Sequence, residues 1–570
     1  MSGLSMIDSK RGGNFQLVLK RIEYEIKDTR EGEKYEIFYI FEIRVKKIDN
    51  DIKIFSTKVK AKNVKNPNWV INATNGMATL CNTKELKSWF ESMIQINIES
   101  NYVKVDYVYP TCGWRKLNGK HFYTYSKGAI GAENFGIIAK RGYDLLIDAN
   151  RIGTKEIFEE AWNMRKICKK NRVSSLIFTY FHIGLLTKLF EEAGYPVNFL
   201  MGVIGETGSR KTSICTTMTK VFNRHMLSAD IEFTATEGGI EEQLSKYNDA
   251  IVLIDDFVAG QTRQEQREAN KKLHQLIRFY GNRISKGRMG YNISEEKKPF
   301  YPISGCCILT GEYITGITSS IGRVFTVNIG RDDVNNKKLL YFQNNREILP
   351  TYAYDFLEWI AYRYEDIKQI ICNILPFYRK NIKFKHSRYC EMYATFITTL
   401  EIMLMYACEK YHISVLEKNN IGNEIEQIII AELRDNERMI MQHDIGAVLI
   451  ASLMEAINNG KLKIKMIKNS DCYDLAAIYQ DEYNIYIQSK EVGRIFKEYV
   501  NKYNFDINLT GCSSIASHLE AKDVLEIKIN SDGSKERARK LPIQKGNAKR
   551  YLWINKQKLL QAYVEYCEQS

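Results

Sequence analysis

The sequence predicts a multidomain α/β protein in which a parallel sheet with flanking helices lies between an α+β module and a mixed C-terminal region. Residues 14–115 alternate apolar and polar side chains with a period of two, which is typical of antiparallel strands. From about residue 153 the apolar residues recur at helical spacing, and strands then alternate with helices to about residue 330. This alternation predicts the parallel sheet. Residues 350–440 show an almost continuous helical pattern.

At roughly 100–200 residues per domain, a chain of 570 residues holds several domains. Changes of pattern divide it into an N-terminal α+β module, a central core, a helical lid and a C-terminal winged-helix-like domain. Their predicted bounds are 14–150, 153–335, 336–440 and 441–570. Within them, Asn118-Gly119 predicts a hairpin turn and Pro376 a break in the helical region. Residues 155–171 and 174–194 predict two amphipathic helices.

Composition indicates which kind of partner the protein binds and in which cellular compartment it is expected. The 82 Lys and Arg against 68 Asp and Glu give a net charge of +14, which favours a polyanionic partner. A Lys/Ile-rich composition typical of an AT-rich genome explains the same balance equally well. The longest apolar stretch, Val173 to Thr187, falls short of the ~20 residues that span a bilayer. The 12 cysteines lack paired spacing, so we predict a cytoplasmic protein without a membrane span or structural metal.

The strongest chemical motif lies between Gly202 and Phe222, where an apolar strand leads into the loop GETGSRKTS and then into a helix. Small residues let backbone N–H groups face an anion, and the helix N-terminus adds partial positive charge. Lys211 is placed for the outer phosphates of a nucleotide and Thr212 for Mg²⁺. The predicted nucleotide-binding residues are Gly205, Glu206, Thr207, Gly208, Ser209, Arg210, Lys211, Thr212 and Ser213.

Arg210 is the departure from this pattern, because it occupies the position where a phosphate-binding loop has glycine. A side chain there must point away from the phosphates or tolerate a left-handed backbone, at a cost of about 1 kcal/mol. The alternative interpretation of the motif is a Gly-rich strand-to-helix turn with an incidental lysine.

Further strands bring polar side chains to the same predicted sheet edge. Residues 249–257, DAIVLIDDF, form a buried strand that ends in Asp255 and Asp256. Paired acids at such a position suit metal coordination by one and activation of water by the other. The next apolar strand ends in Thr310, and Arg323 directly precedes another. Converging strand ends with an isolated arginine are the layout of an additional-strand P-loop ATPase.

The order of GETGSRKT, IVLIDDF, ILTGE and IGRVFTV resembles that of AAA+ ATPases. It resembles more closely the domain-of-unknown-function family DUF927, helicase-like proteins of phages, plasmids and cassette elements. The segments CGWRKLNGKHFY, FTATEGGIEEQLSKYNDAIVLIDDF and LIRFYGNRISKGRMG also match that family, so the resemblance covers roughly residues 50–410. The family is similar to minichromosome-maintenance helicases, whose phosphate loop also lacks the last glycine. The resemblance implies an ATP-driven ring, a hexamer, that translocates on DNA with ATP and Mg²⁺ as cofactors.

The resemblance also implies roles for the residues at the sheet edge. Asp255 would be the acid on the metal side, and Thr310 would sense the γ-phosphate. Asp256 takes the place where most relatives have glutamate as the water-polarising base, and it is one methylene shorter. Arg323 would be the arginine finger that reaches a neighbouring subunit.

Two basic segments are candidate DNA surfaces. Residues 263–292 carry 8 Lys and Arg against 2 Glu, and in related rings this interval lines the central pore. Lys286 and Arg288 would there face the backbone of single-stranded DNA. Near the C-terminus two helices and a basic hairpin predict a winged-helix-like reader. The residues selected from that hairpin are Arg537, Arg539 and Lys540. The alternatives are a solvated helix face and a solvated loop.

Three functions follow from these patterns. The first is a Mg²⁺-dependent ATPase that translocates on or unwinds DNA during replication of a mobile element. The second is a switch ATPase that remodels a protein partner and contacts DNA incidentally or not at all. The third is a module that holds nucleotide and barely hydrolyses it, for which Arg210 and Asp256 are the motivating departures.

Overall fold

The computed structural model describes the chain in eighteen segments. They are residues 13–29, 32–81, 87–88, 90, 92, 94–95, 103–132, 136–140, 144–222, 228–257, 263–283, 304–312, 322–442, 444–460, 462–467, 478–503, 511–541 and 549–567. In these segments no helix combines the length and the apolar character that crossing a membrane requires. The chain divides into two compact units, the first comprising 1–316, 323–383 and 390–430, the second 317–322, 384–389 and 431–570.

The first unit begins with a five-stranded mixed sheet. Its strands are β1 (Phe15–Thr29), β2 (Gly32–Lys46), β3 (Ile52–Lys60), β4 (Lys104–Tyr109) and β8 (Gly136–Ala139), in the order β3-β2-β1-β4-β8. The first three strands pair antiparallel, as the period-two pattern predicts, whereas β4 and β8 are parallel additions. Phe41 and Ile43 of β2 are fully buried with Val70 of the short helix α1 (Asn68–Ala73). The region predicted as an α+β module thus contains a mixed sheet and a short helix.

A small antiparallel sheet follows in the same unit. It consists of β5 (Gly113–Leu117), β6 (Lys120–Tyr125) and β7 (Gly128–Ile130). Asn118 and Gly119 connect β5 to β6, with φ of 50° and 81°. Two positive φ angles in a two-residue loop match the right-handed twist of the flanking strands. The predicted hairpin turn is therefore confirmed.

The central sheet of the first unit is entirely parallel. It contains β9 (Leu200–Ile204), β10 (Ile231–Glu232), β11 (Ile251–Phe257), β12 (Cys306–Gly311) and β13 (Val324–Asn328). The order is β10-β11-β12-β9-β13. All residues of β9 and β12 are buried, as expected where helices cover both faces of a parallel sheet. The carboxyl ends of β9, β11 and β12 consequently lie side by side.

Helices α2 (Lys155–Asn163), α3 (Arg172–Leu185), α4 (Thr187–Glu192), α5 (Lys211–Thr219), α6 (Glu237–Leu244) and α7 (Arg263–Asn282) belong to the same unit. The prediction of a second amphipathic helix over 174–194 is wrong in two respects. The helix is interrupted at Leu186, and α3 is buried along its whole length from Val173 to Leu185. Two buried polar side chains of α3 bond to backbone carbonyl oxygens one turn earlier: the Thr179 hydroxyl donates to Ser175 at 2.9 Å, and His182 Nδ1 lies 2.8 Å from the Phe178 carbonyl oxygen.

The helical region is present as predicted. It comprises α8 (Asn336–Asn344), α9 (Ile348–Tyr362), α10 (Tyr364–Asn381), α11 (Ser387–Tyr411) and α12 (Val415–Gln442). The predicted break at Pro376 is wrong, because α10 continues through the proline to Asn381. Ile371 and Leu375 are buried on the same helix, so packing of this face offsets the backbone hydrogen bond that proline removes.

The second unit combines helices with a five-stranded sheet. Its helices are α13 (Ile445–Asn458), α14 (Ser489–Lys502), α15 (Cys512–Ala521) and α16 (Lys556–Cys567). Strands β14 (Ile464–Met466), β15 (Ile478–Gln480), β16 (Asn484–Ile487), β20 (Arg550–Asn555) and β19 (Arg539–Lys540) form the sheet, in that order. Strands β17 (Lys528–Ile529) and β18 (Lys535–Glu536) form a separate antiparallel pair. The prediction of one basic hairpin is therefore wrong, because the segment forms two, β17–β18 and β19–β20.

Candidate functional site

The loop between β9 and α5 is built around glycine at its first position. Gly205 donates its N–H to the Gly311 carbonyl oxygen at 3.1 Å. A Cβ atom on Gly205 would lie 2.3 Å from the Ile329 carbonyl oxygen and 2.7 Å from Ser209 Oγ. Only glycine therefore fits there. The Ser209 hydroxyl is fully buried and has no hydrogen-bond partner within the described segments.

Arg210 takes the left-handed conformation that the motif demands of this position. Its φ is 63° and its ψ is 23°, and its carbonyl oxygen accepts from the Ile214 N–H at 3.0 Å, in the first turn of α5. The side chain is exposed. The loop thus keeps the backbone that glycine would adopt, at a cost of about 1 kcal/mol.

Charged side chains of the loop lie at its open side. Lys211 Nζ is 3.4 Å from the Glu206 carbonyl oxygen, and the Glu206 carboxylate is 3.3 Å from the guanidinium of Arg331. Thr207 donates its hydroxyl to Glu312 at 2.5 Å, and this bond lowers the pKa of the Glu312 carboxyl. Among the described residues this long hydrogen bond is the contact that holds the Lys211 ammonium group, and it is weak enough to be exchanged for an anion in the loop.

The carboxylate of Asp255 joins three elements at the edge of the sheet. Thr212, in the first turn of α5, donates its hydroxyl to Asp255 Oδ1 at 2.7 Å. Thr310 of β12 donates to the same oxygen and accepts from the Asp256 N–H at 3.2 Å. The predicted association of Thr212, Asp255 and Thr310 in space is thus present.

Two further carboxylates lie beside Asp255. Asp256 has φ of 61° and lies within the register shift between Ile254 and Phe257 of β11. In the described residues its carboxylate makes no hydrogen bond or ion pair. Glu232, the last residue of β10, is aligned with Asp255 in the neighbouring strand. Partial burial, followed by the charges of Asp255 and Asp256, raises the pKa of the Glu232 carboxyl. Sequence analysis missed Glu232, although its position at the end of a short apolar strand before DAIVLIDDF was a usable signal.

A cavity of about 70 Å³ opens next to the loop. Thr212, Thr216 and Lys220 of the α5 region line one side, and Phe342 and Arg346 at the end of α8 line the other. Lys220 makes a buried ion pair with Asp230. The cavity therefore adjoins the helix that begins at the Gly-rich loop, with an aromatic ring and hydroxyl groups in its wall.

Arg323 lies at the opposite edge of the central sheet from the loop. Its carbonyl oxygen accepts from the N–H of Leu200, which is the first residue of β9. The Gly-rich loop follows Ile204, which is the last residue of the same strand. Five residues of strand at about 3.3 Å each separate the two edges by ~16 Å. The guanidinium packs on Gly281, where a Cβ atom would lie 2.6 Å from Nη1. Arg323 is therefore remote from the Gly-rich loop of its own chain.

The candidate DNA-contacting residues fall into two groups. Lys286 and Arg288 lie outside the described residues. In the second unit, Arg537 is paired with Glu520, to which Lys535 also donates at 2.7 Å. The other arginine, Arg539, stacks on the Trp553 ring, with its guanidinium carbon 3.9 Å from the centroid, and donates to the Glu526 carbonyl oxygen at 2.9 Å. Lys540 of β19 is aligned with Arg550 of β20 in an antiparallel strand pair. Both arginines thus already have intramolecular partners.

The geometry defines a multidomain α/β protein with a Gly-rich loop at the carboxyl edge of a parallel sheet. Residues 28–288 match the family model described as "Domain of unknown function (DUF927)", and this part of the chain belongs to that family. The match includes the loop and β11 and ends before β12 and β13.

One solved structure shares the fold over almost the entire chain. It is named "SCCmec type IV Cch - active helicase", and the superposition has a TM-score of 0.54 at 12% sequence identity. It covers 96% of this chain and 94% of that chain. No curated protein sequence matches the chain.

Proposed function

We propose that this protein is an ATP-hydrolysing motor of the AAA+ type that translocates on DNA, as a helicase, in the replication of a mobile genetic element. The observation that carries the proposal is the 2.7 Å contact between Thr212 of the loop helix and Asp255 at the end of β11. In a P-loop NTPase these two side chains share one Mg²⁺ ion, and the loop in front of them holds the nucleotide phosphates. The placement of β12 between β9 and β11 supports an additional-strand core.

The residues present suit ATP and Mg²⁺. Mg²⁺ prefers oxygen ligands and is usually bound through one or two protein groups, together with substrate phosphates and water. Thr212 Oγ1 and Asp255 Oδ1 are such a pair. When bound, Mg²⁺ would neutralise charge on the β- and γ-phosphates. The Gly205 and Ser209 N–H groups already donate to the carbonyl oxygens of Gly311 and Glu206. The other N–H groups of residues 206–211 would bind the phosphates, and Lys211 would leave the Glu206 carbonyl to contact them.

Thr310 would couple the phosphate site to the acidic strand. Its hydroxyl contacts the Asp255 carboxylate and the Asp256 N–H, so movement of β12 shifts both aspartates together. This geometry suits the proposed role of a γ-phosphate sensor. Arg323, at the other edge of the sheet, would serve the site of a neighbouring subunit in a hexamer.

DNA as the partner is supported by charge and by fold. The net charge of +14 favours a polyanion, and the solved structure of similar fold is named an active helicase. In the second unit, helices α13, α14 and α15 precede the β19–β20 hairpin, an arrangement that supports a winged-helix-like domain.

The second candidate is a switch ATPase that remodels a protein partner. The intramolecular contacts of Arg537 and Arg539 favour it, because side chains paired with Glu520 and Trp553 must give up these contacts to bind phosphate. Winged-helix domains also bind proteins, so the fold does not decide between the two.

The test is ATP turnover by the full chain with Mg²⁺, measured with and without single-stranded DNA. We expect turnover that DNA stimulates and that Lys211→Ala abolishes, while ATP-independent melting of the variant stays at the parent temperature. Turnover that DNA leaves unchanged supports the switch ATPase. Binding of ATP without turnover supports the module that only holds nucleotide.

A further inference from the structure

The end of β10 brings a third carboxylate to the proposed ATPase site. Glu232 is the last residue of this strand, and its Cα is aligned with that of Asp255 in the parallel neighbour β11. Adjacent strands lie about 4.8 Å apart. Glu232 is thus one strand spacing from the acid proposed to hold the metal, on the side of β11 away from β12.

Aligned residues of two paired strands project to the same face of a sheet, because side chains alternate with a period of two along both. The Asp255 carboxylate accepts from Thr212 of α5, so its face is the one that meets the phosphate loop. Glu232 projects to that same face. In the described part of the chain its carboxylate makes no hydrogen bond or ion pair, and the side chain is exposed.

The backbone that carries Glu232 is fixed on both sides. The Phe233 N–H donates to the Asp255 carbonyl oxygen at 2.9 Å and continues the strand pairing. Lys272 of α7 donates from Nζ to the carbonyl oxygens of Phe233 at 2.8 Å and of Ala235 at 2.5 Å. The end of this two-residue strand is therefore held in place.

Asp256 is the residue that the sequence suggests for activation of water, but its side chain is shorter than that of Glu232 and its backbone is less regular. It lies within the register shift between Ile254 and Phe257 of β11, its φ is 61°, and its N–H donates to Thr310. Its carboxylate is one methylene closer to the backbone than that of a glutamate. Glu232 combines the longer side chain with regular pairing to β11.

We propose that Glu232 is the catalytic carboxylate that activates the attacking water, in place of Asp256. This inference rests on the proposed ATPase function. The water oxygen forms a bond to the γ-phosphorus while its proton passes to the Glu232 carboxylate. The bond between the γ-phosphorus and the β,γ-bridging oxygen breaks, and ADP leaves with the electron pair. The proton is then released to solvent, so that ATP and water give ADP, phosphate and a proton.

The experiment compares Glu232→Gln with Asp256→Asn, two changes that remove the charge and keep the shape. General bases contribute about 10²–10⁴-fold to rate, so we expect kcat of Glu232→Gln to fall by at least ~100-fold. Affinity for a fluorescent ATP analogue and the rise in melting temperature with ATP should stay at parent values. If Glu232 had only a structural role, its substitution would alter both the affinity for the analogue and the rise in melting temperature. Asp256→Asn should lose much less kcat, and Glu232→Asp should retain part of it.

The outcomes separate this inference from the proposed function. Turnover in the parent that Lys211→Ala abolishes supports the ATPase independently of Glu232. If the parent is active and Glu232→Gln keeps its kcat, or if Asp256→Asn is the inactive variant, Glu232 is not the base. If the parent has no ATP turnover, the proposed function and this inference fall together.

Discussion

At the scale of single residues, the Gly-rich loop departs from the phosphate-loop pattern at Arg210 and accommodates the departure in its backbone. The residue keeps the left-handed φ of 63°, and its side chain is exposed. Left-handed backbone costs a residue with a Cβ roughly 1 kcal/mol or more, and glycine very little. The sequence predicts the position of the departure, and the structure shows that it leaves the course of the loop unchanged.

Arg210→Gly should therefore stabilise the fold relative to Arg210→Ala, which also removes the guanidinium but keeps the strained Cβ. We expect a free energy of unfolding about 1 kcal/mol higher for the glycine variant, measured by urea denaturation. ATP turnover of the glycine variant should equal or exceed that of the parent. Identical denaturation midpoints for the two variants would show that the backbone of this position is unstrained.

At the scale of elements, the β5–β6 hairpin explains a motif to which sequence reasoning could assign no role. Trp114, in CGWRKLNGKHFY, donates its N–H to Asp249 Oδ2 at 3.0 Å. Asp249 Oδ1 accepts from the Thr187 hydroxyl and the Lys188 N–H, both at 2.8 Å. A Cβ atom on Gly113 would lie 2.8 Å from Oδ2, so the glycine admits the carboxylate. Burial raises the pKa of Asp249 while these donors oppose the shift.

Asp249 lies two residues before β11, the strand that carries Asp255. Asp249→Ala would leave several buried donors unpaired, each costing about 1–3 kcal/mol without full additivity. We expect a loss of at least ~2 kcal/mol in the free energy of unfolding, measured by chemical denaturation. Asp332→Ala, at an exposed carboxylate, is the control and should change stability little. Equal stability of both variants would mean that the hairpin is not held through Asp249.

At the scale of the whole molecule, sequence patterns predicted what depends on neighbours along the chain. The buried strands, the hairpin turn at Asn118 and the multidomain α/β class all follow from local periodicity and turn chemistry. The alignment of Glu232 with Asp255 could not be predicted, because it depends on which strands pair and in which register. The uninterrupted helix at Pro376 and the buried α3 escaped prediction for a related reason, since packing by distant segments overrides local preference.

Substitution of Arg323 tests whether the molecule assembles into the proposed ring. The residue lies at the far edge of the central sheet, ~16 Å from the Gly-rich loop of its own chain by the length of β9. The proposed arginine finger would therefore have to act on the site of another subunit. Arginine fingers supplied in trans contribute about 10³–10⁵-fold to rate in other NTPases. Arg323→Ala should bind ATP normally and hydrolyse it poorly.

Mixing Arg323→Ala with Lys211→Ala subunits should restore part of the activity, because some interfaces then join an intact arginine to an intact phosphate loop. The measurement is ATP turnover of the mixture, with subunit exchange followed by gel filtration. Mixing Lys211→Ala with Asp255→Ala is the matched control, since both changes damage a subunit's own site and no interface is repaired. If the first mixture stays inactive although subunits exchange, Arg323 has a structural role within its own chain, and the proposed ring loses its strongest support.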